Sequence, residues 1–344
     1  MSSLAETYDV ALLDLDGVVY VGAHPVQHAA RALATARASG MRLAFVTNNA
    51  ARPPGRVADH LTSLGIAARD AEVVTSAQAA ARVLAEMLPV GARVLVVGGE
   101  GLIAALRERG LTPVADAAAD PVAVVQGFHP DVGWRLLAEG CYAVAAGVPW
   151  VASNVDRTIP TPRGTAPGNG TLVDAVRAAT GREPVVAGKP EPPMHREAVL
   201  RTVAEKPLVV GDRLDTDIEG ARRFGVDSLL VLTGVTSPGD LVNAPPERRP
   251  TYVAKDLRAL NEAPDGLIVR PGVVRRGRYV SAVERGRVTV QPSGELDGAS
   301  TMDALRAICG AVWAADVDTG PVAGIEEALA GVGWGLQAPS GHAY

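Results

Sequence analysis

The first third of this sequence predicts an α/β fold built on a parallel sheet. Three observations carry that reading. Short apolar runs alternate with Ala-rich helical stretches, the apolar runs stop abruptly at a polar residue, and a glycine stands where each of the first two helical patterns ends. Val10–Leu13 meets Asp14 as a buried parallel strand meets a site at its end. Residues 28–39 have helical character, with Gly40 as the C-terminal cap. Residues 41–46 form a second apolar run ending at Thr47, and 55–64 read as a helix stopped by Gly65. Strand, helix, strand, helix in this order indicates a parallel sheet.

The same pattern continues. Ser76–Met87 is helical and Arg93–Val97 is a buried strand, followed by Gly98-Gly99-Glu100-Gly101 and a helix at 102–109. Strands are expected at 122–126, 143–146 and Trp150–Ala152. Residues 157–170, rich in Pro, Gly and Thr, read as a loop. Helices at 172–180, 194–204 and 218–224 alternate with strands at 184–187, 208–210 and 228–232. From Ala263 the character changes. Val273, Val274 and residues 279–290 alternate around Gly277 and Gly286 like a hairpin or small meander. A helix at 300–314, capped by Ser300, and a second at 325–329 complete it.

Composition narrows the function classes. At roughly 100 to 200 residues per domain, 344 residues suggest two or three domains. The net charge is −5, the basic residues are scattered and aromatics make up 4%, so a nucleic-acid partner is not expected. Cys141 and Cys309 lie far apart, which suits packing residues in a reducing compartment. No apolar signal core opens the chain and no uncharged run reaches the ~18 residues a bilayer requires, so a soluble, cytoplasmic protein is expected, without a membrane partner.

Four polar clusters follow apolar runs: Asp14-Leu15-Asp16-Gly17, Thr47-Asn48-Asn49, Lys189, and Gly211-Asp212 through Asp217. Ligands of open parallel sheets bind outside the carboxyl ends of the strands, so the four could converge on one crevice. Phosphoryl transfer needs an in-line nucleophile, charge neutralisation at the equatorial oxygens and a proton for the leaving group. Asp14 can attack phosphorus and form an aspartyl-phosphate. Asp16 can protonate the leaving oxygen, then deprotonate water. Mg2+ prefers oxygen ligands, which Asp14, the Asp16 carbonyl and Asp212 could supply, while Asp217 would hold a metal-bound water or orient the loop. Thr47 can donate a hydrogen bond to the phosphoryl group, with Asn48 and neighbouring backbone N–H groups beside it. Lys189 supplies positive charge that also restrains Asp14.

These segments, in this order, resemble the haloacid dehalogenase superfamily, and within it the NagD-like or p-nitrophenylphosphatase-like branch. Ser153-Asn154-Val155-Asp156 and Pro167-Gly168-Asn169-Gly170 also resemble segments of that branch. The resemblance covers about residues 8–260. It implies a Rossmann-like core with an α/β cap inserted between the Thr47 and Lys189 motifs, core at 1–77 and 183–262 and cap at 78–182; the composition shift near Pro264-Asp265-Gly266 marks off a C-terminal α+β module at 263–344. The resemblance also implies Asp14 as nucleophile, Asp16 as acid/base and Asp212 as metal ligand, and it puts Asn154, Asp156 and Arg157 near the seam of cap and core. The implied partner is a small phosphorylated metabolite, glycerol 3-phosphate first. Another sugar or cofactor phosphate, or a non-enzymatic phosphometabolite-binding role, is the alternative.

Dehalogenation fits poorly, because it has no oxygen leaving group to use Asp16. The Gly98–Gly101 turn could cradle a phosphate, but a tight turn inside the cap is the simpler reading, and His129 reads as a surface loop residue. The tail is too small to stand alone easily and is expected to pack on the core or on another subunit, which leaves a homo-oligomer open. It could resemble part of an acetyltransferase fold. It lacks the Gln/Arg-x-x-Gly-x-Gly/Ala loop that would hold a cofactor pyrophosphate, so a structural or regulatory role is expected.

Overall fold

A computed structural model of the chain describes residues 2–161, 163–272, 274–293, 300–319 and 321–334. Val273 and the final stretch 335–344, both within the expected C-terminal module, lie outside the described residues, as does Pro162 of the expected loop. The chain divides into two compact units, Met1–Arg42 with Lys206–His342, and Leu43–Glu205.

In the first unit four parallel strands run in the order Tyr252–Ala254, Asp227–Val231, Pro207–Gly211, Val10–Leu13. Val10 lies opposite Pro207 and Leu13 opposite Val210. Val10–Leu13 and Pro207–Gly211 are apolar because both sheet faces are covered there, and every residue of the two is buried. The ladder reaches past the strand end, where the Asp14 N–H donates to the Val210 carbonyl at 2.8 Å.

The tail forms the expected antiparallel meander, Arg275–Arg276, Tyr279–Glu284 and Arg287–Pro292, followed by helices Thr301–Thr319 and Ile325–Gly331. It shares one hydrophobic core with the sheet. Leu305, Ile308 and Trp313 pack with Ile218, Leu230, Leu241 and Val253. The buried Arg306 guanidinium donates to the Val253 carbonyl at 3.0 and 2.8 Å, and the Trp313 indole donates to the Val242 carbonyl at 3.2 Å. The tail therefore packs on the core of its own unit.

In the second unit, Phe45–Thr47, the end of the strand Arg42–Thr47, pairs in parallel with Val73–Thr75. A separate five-stranded parallel sheet has the order Val185–Val186, Trp150–Ala152, Ala123–Gln126, Arg93–Val97, Thr112–Val114. Two local expectations are corrected. Residues 143–146 are not a strand; they close the helix Trp134–Ala145, whose buried Gly140, Ala143 and Val144 keep helical spacing. Alanine favours helix, and the short Ala-Val-Ala-Ala run carries no strand period of its own. The stretch 157–170 is not a plain loop; it holds the antiparallel hairpin Thr158–Thr161 and Gly164–Pro167. A mostly exposed two-stranded hairpin needs no apolar alternation, so its Thr and Pro residues hid it. The short strands Val73–Thr75, Thr112–Val114 and Tyr252–Ala254 were not foreseen.

Candidate active site

Adjacent parallel strands deliver Asp14 and Asp212 to the same sheet edge, each one residue beyond its strand. Asp217 follows in the π-turn Leu214–Ile218, whose close is tied by the Asp217 and Ile218 N–H groups donating to the Arg213 carbonyl at 3.1 and 3.2 Å. Carboxylate oxygens of Asp14, Asp212 and Asp217 lie within 4.8 Å of one another. Asp212 and Asp217 are buried and Asp14 is half-buried. Three carboxylates at that separation, largely removed from water, repel one another unless a cation compensates them. An all-oxygen donor set of this kind suits a hard divalent ion.

The surrounding backbone is shaped to these carboxylates. Asp212 Oδ2 accepts from the Val235 N–H at 2.7 Å and Asp217 Oδ2 from the Arg213 N–H at 3.2 Å. A Cβ at Gly234 or Gly17 would overlap the Asp212 carboxylate, and one at Gly211 would overlap Asp217. Gly17 also has φ +82°, a conformation that favours glycine. Thr233 Oγ1 donates to the Gly17 carbonyl at 2.6 Å and ties the two loops together. The cradle fits a small cation bound by carboxylates. Thr233, Gly234 and Val235 were missed in the sequence. Their signal was positional, since they follow Asp227–Val231 at the same carboxyl edge as Asp14 and Asp212. Asp16 is exposed, so it can exchange protons with solvent. Asp215 is partly buried, which raises its pKa, but the Arg213 guanidinium at 2.9 Å outweighs burial and holds it below the usual carboxylate range.

Within Leu43–Glu205, Thr47 is buried and its Oγ1 accepts from the Asn49 N–H at 3.1 Å. Lys189 is 4% exposed, and its ammonium donates to the Val46 carbonyl at 3.4 Å. Burying an ammonium is costly without compensating charge, which marks Lys189 as placed for a purpose. Asn48 joins the Thr47 and Lys189 segments: its Oδ1 accepts from the Lys189 N–H at 2.8 Å and its Nδ2 donates to the Lys189 carbonyl at 3.1 Å. Asn154 is buried and donates to the Asn48 carbonyl at 2.7 Å, and Asp156 accepts from Asn48 Nδ2 at 3.2 Å. Arg157 is exposed and pairs with Asp174 at 2.9 Å.

Sequence reading also passed over His195. Burial first, and the Lys189 charge second, lower its pKa to about 3 and keep the ring neutral. Glycines of the Gly98–Gly101 turn have packing reasons, since a Cβ at Gly99 would overlap His129 and one at Gly101 would overlap the Ala50 carbonyl. His129 is partly exposed, 3.6 Å from the Asp131 carboxylate. Cys141 and Cys309 are both free thiols. Among the described residues no helix is long and apolar enough to cross a membrane.

The chain is similar to known hydrolases along nearly its whole length. Residues 11–112 match the model of haloacid dehalogenase-like hydrolases, and residues 186–260 match a second hydrolase model of the same kind. Residues 276–334 match a GCN5-related N-acetyltransferase-like domain. The D-glycerol 3-phosphate phosphatase of Mycobacterium tuberculosis is 48% identical over 340 residues, 96% of this chain and 94% of that protein. The crystal structure of the glycerol phosphate phosphatase from that organism in complex with magnesium aligns with a TM-score of 0.85, covering 91% of this chain and 92% of that chain at 48% identity. The 5'-nucleotidase of Bacillus subtilis is 39% identical over 67% of this chain and 90% of its own length. A p-nitrophenyl phosphatase from Archaeoglobus fulgidus aligns with a TM-score of 0.68 and 31% identity over 74% of this chain and 98% of its own. With identity at this level across nearly its full length, the chain belongs to the haloacid dehalogenase-like hydrolases, in the branch of the p-nitrophenyl phosphatases.

Proposed function

We propose that the chain is a magnesium-dependent phosphatase that hydrolyses glycerol 3-phosphate through an aspartyl-phosphate. The observation that carries the chemistry is the cluster of Asp14, Asp212 and Asp217 in its glycine cradle, with an exposed Asp16 two residues beyond Asp14. Asp14, Asp212 and the Asp16 carbonyl would hold magnesium, with Asp217 behind them. When bound, the ion offsets the negative charge of carboxylate and phosphate so that one can approach the other.

In the first step an Asp14 carboxylate oxygen bonds to phosphorus. The phosphorus–alkoxide bond breaks, and Asp16 gives its proton to the leaving oxygen. In the second step Asp16, now a carboxylate, takes a proton from water. The water oxygen bonds to phosphorus, and the bond to Asp14 breaks, releasing inorganic phosphate and restoring both aspartates. The Thr47 hydroxyl, whose oxygen already accepts from Asn49, has its own hydrogen to offer a phosphoryl oxygen. The Lys189 ammonium adds positive charge to the same group.

The substrate assignment is supported by the reach of the likeness to the mycobacterial phosphatase. That protein matches 96% of this chain, tail included, whereas the 5'-nucleotidase matches 67%. The test is phosphate release from glycerol 3-phosphate, a nucleoside 5'-monophosphate, a sugar phosphate and p-nitrophenyl phosphate, with magnesium, with a chelator, and with magnesium restored. Magnesium-dependent release with the highest kcat/KM on glycerol 3-phosphate is expected. A clear preference for one of the others would overturn the substrate, and release unaffected by the chelator would overturn the mechanism.

A further inference from the structure

Asn48 makes more contacts than a ligand of the phosphate would need. Its side-chain oxygen accepts from the Lys189 N–H at 2.8 Å, and its amide nitrogen donates to the Lys189 carbonyl at 3.1 Å. The same nitrogen reaches the Asp156 carboxylate at 3.2 and 3.4 Å. Its own carbonyl accepts from the Asn154 amide at 2.7 Å and from the Ser76 hydroxyl at 2.6 Å. Gly188 leaves room for this junction, because a Cβ there would come within 2.7 Å of Asn48 Oδ1.

We propose that Asp156 is a positioning residue for Lys189, acting through Asn48; the catalytic part of this proposal rests on the phosphatase reading above. A primary amide has two faces that differ only in which end donates and which accepts. The Lys189 backbone presents an N–H and a C=O to Asn48 and so needs one particular orientation of the amide. The Asp156 carboxylate, which when ionised only accepts, attracts the nitrogen end and opposes the flipped orientation. Removing the carboxylate frees the amide to turn, and a flipped amide loses both bonds to the Lys189 backbone. The Lys189 side chain is almost wholly buried, so its ammonium is placed by the backbone it hangs from. Asp156 also roots the hairpin Thr158–Thr161 and Gly164–Pro167: its carbonyl accepts from the Gly170 N–H at 2.8 Å, and its N–H donates to Asn154 Oδ1 at 3.1 Å. Placement of Lys189 is in this way linked to a segment more than a hundred residues from the Thr47 motif.

The experiment compares Asp156→Ala, Asp156→Asn, Asn48→Asp and the double variant N48D/D156N in the full chain. It measures kcat and KM with magnesium, together with backbone hydrogen exchange at Lys189. Asp156→Ala is expected to lower kcat about 10- to 100-fold, the usual scale for a catalytic group displaced by about an ångström. KM should change little, and exchange at Lys189 should quicken. Asp156→Asn keeps an acceptor and should be milder. Asn48→Asp sets two carboxylates together and also removes the donor to the Lys189 carbonyl, so it should cost more than Asp156→Ala, and N48D/D156N, which relieves the repulsion but still cannot donate to that carbonyl, should recover only the part due to repulsion. A raised KM with kcat intact in Asp156→Ala would mean direct substrate contact and overturn the proposal. So would an Asp156→Asn variant with both kcat and exchange at Lys189 unchanged, a near-isosteric comparison that decides the matter even where Asp156→Ala fails to fold. An unsubstituted chain that releases no phosphate would refute the phosphatase reading alone, and the exchange rates at Lys189 would then decide the positioning claim.

Discussion

Gly234→Ala tests the glycine cradle directly. The substitution adds one methyl group at a residue whose φ lies outside the left-handed region, so the backbone itself accepts alanine. The new Cβ would overlap the Asp212 carboxylate, which must retreat by about 1 Å or more to restore van der Waals contact. Asp212 has little freedom to do so: it is wholly buried and held to the Val235 N–H at 2.7 Å. A displacement of that size at a catalytic group costs on the order of 100-fold in rate, about 2.7 kcal/mol of transition-state stabilisation. Magnesium titration of kcat and calorimetric titration of magnesium into the purified variant read the two halves of the effect. The midpoint for magnesium should rise and kcat/KM should fall about 100-fold, while the far-ultraviolet circular dichroism stays that of the unsubstituted chain. Gly266→Ala, where a Cβ meets nothing within 4 Å, is the matched control and should leave all three unchanged. A Gly234→Ala variant with unaltered magnesium dependence and turnover would refute the idea that the cradle sets the position of Asp212.

Further outcomes are expected. Asp14→Asn should abolish phosphate release in a folded chain and Asp16→Asn should slow both chemical steps, most visibly with a poor leaving group; substantial release by a folded Asp14→Asn variant would remove the nucleophile. Calcium should bind without supporting turnover, because its larger coordination number can draw both Asp14 oxygens onto the ion and leave none to attack; full activity with calcium as the sole divalent ion would contradict this. Trp313→Ala should destabilise the protein by about 3–5 kcal/mol in urea unfolding, since it empties a fully buried site and strips a donor from the Val242 carbonyl, and a chain ending at Glu262 should lose solubility; a soluble truncated enzyme of normal turnover would show the tail to be dispensable. His195 has a folded-state pKa of about 3, below its unfolded value, so the unfolded chain binds the extra proton and stability falls as the pH drops from about 6.5 toward 3; His195→Gln should flatten that part of the stability profile, and an unchanged slope would remove His195 as its source.

Much of this protein was legible one segment at a time. Val10–Leu13 ending at Asp14, and Pro207–Gly211 ending at Asp212, announce themselves as buried strands with a site at the end. That pattern is local, because strand burial and abrupt polar termination are written in consecutive residues. Where the local signal was weak the reading failed. Residues 143–146 were too few to show a period, and the exposed hairpin within 157–170 has no buried face to impose one. Three decisions belong to the tertiary structure alone. Gly234 and Gly17 look like ordinary loop glycines until the Asp212 carboxylate is placed against them. Asn48 stands beside Thr47 in the sequence, while its side chain is held by Lys189 and Asp156, which lie 141 and 108 residues along the chain. The tail reads as a small module that packs either on the core or on another subunit, and Leu305, Ile308 and Trp313, which share one core with Leu230 and Val253, decide for the core. Each depends on atoms brought together across long stretches of chain, where packing and hydrogen bonding, with no trace in neighbouring residues, choose the partner.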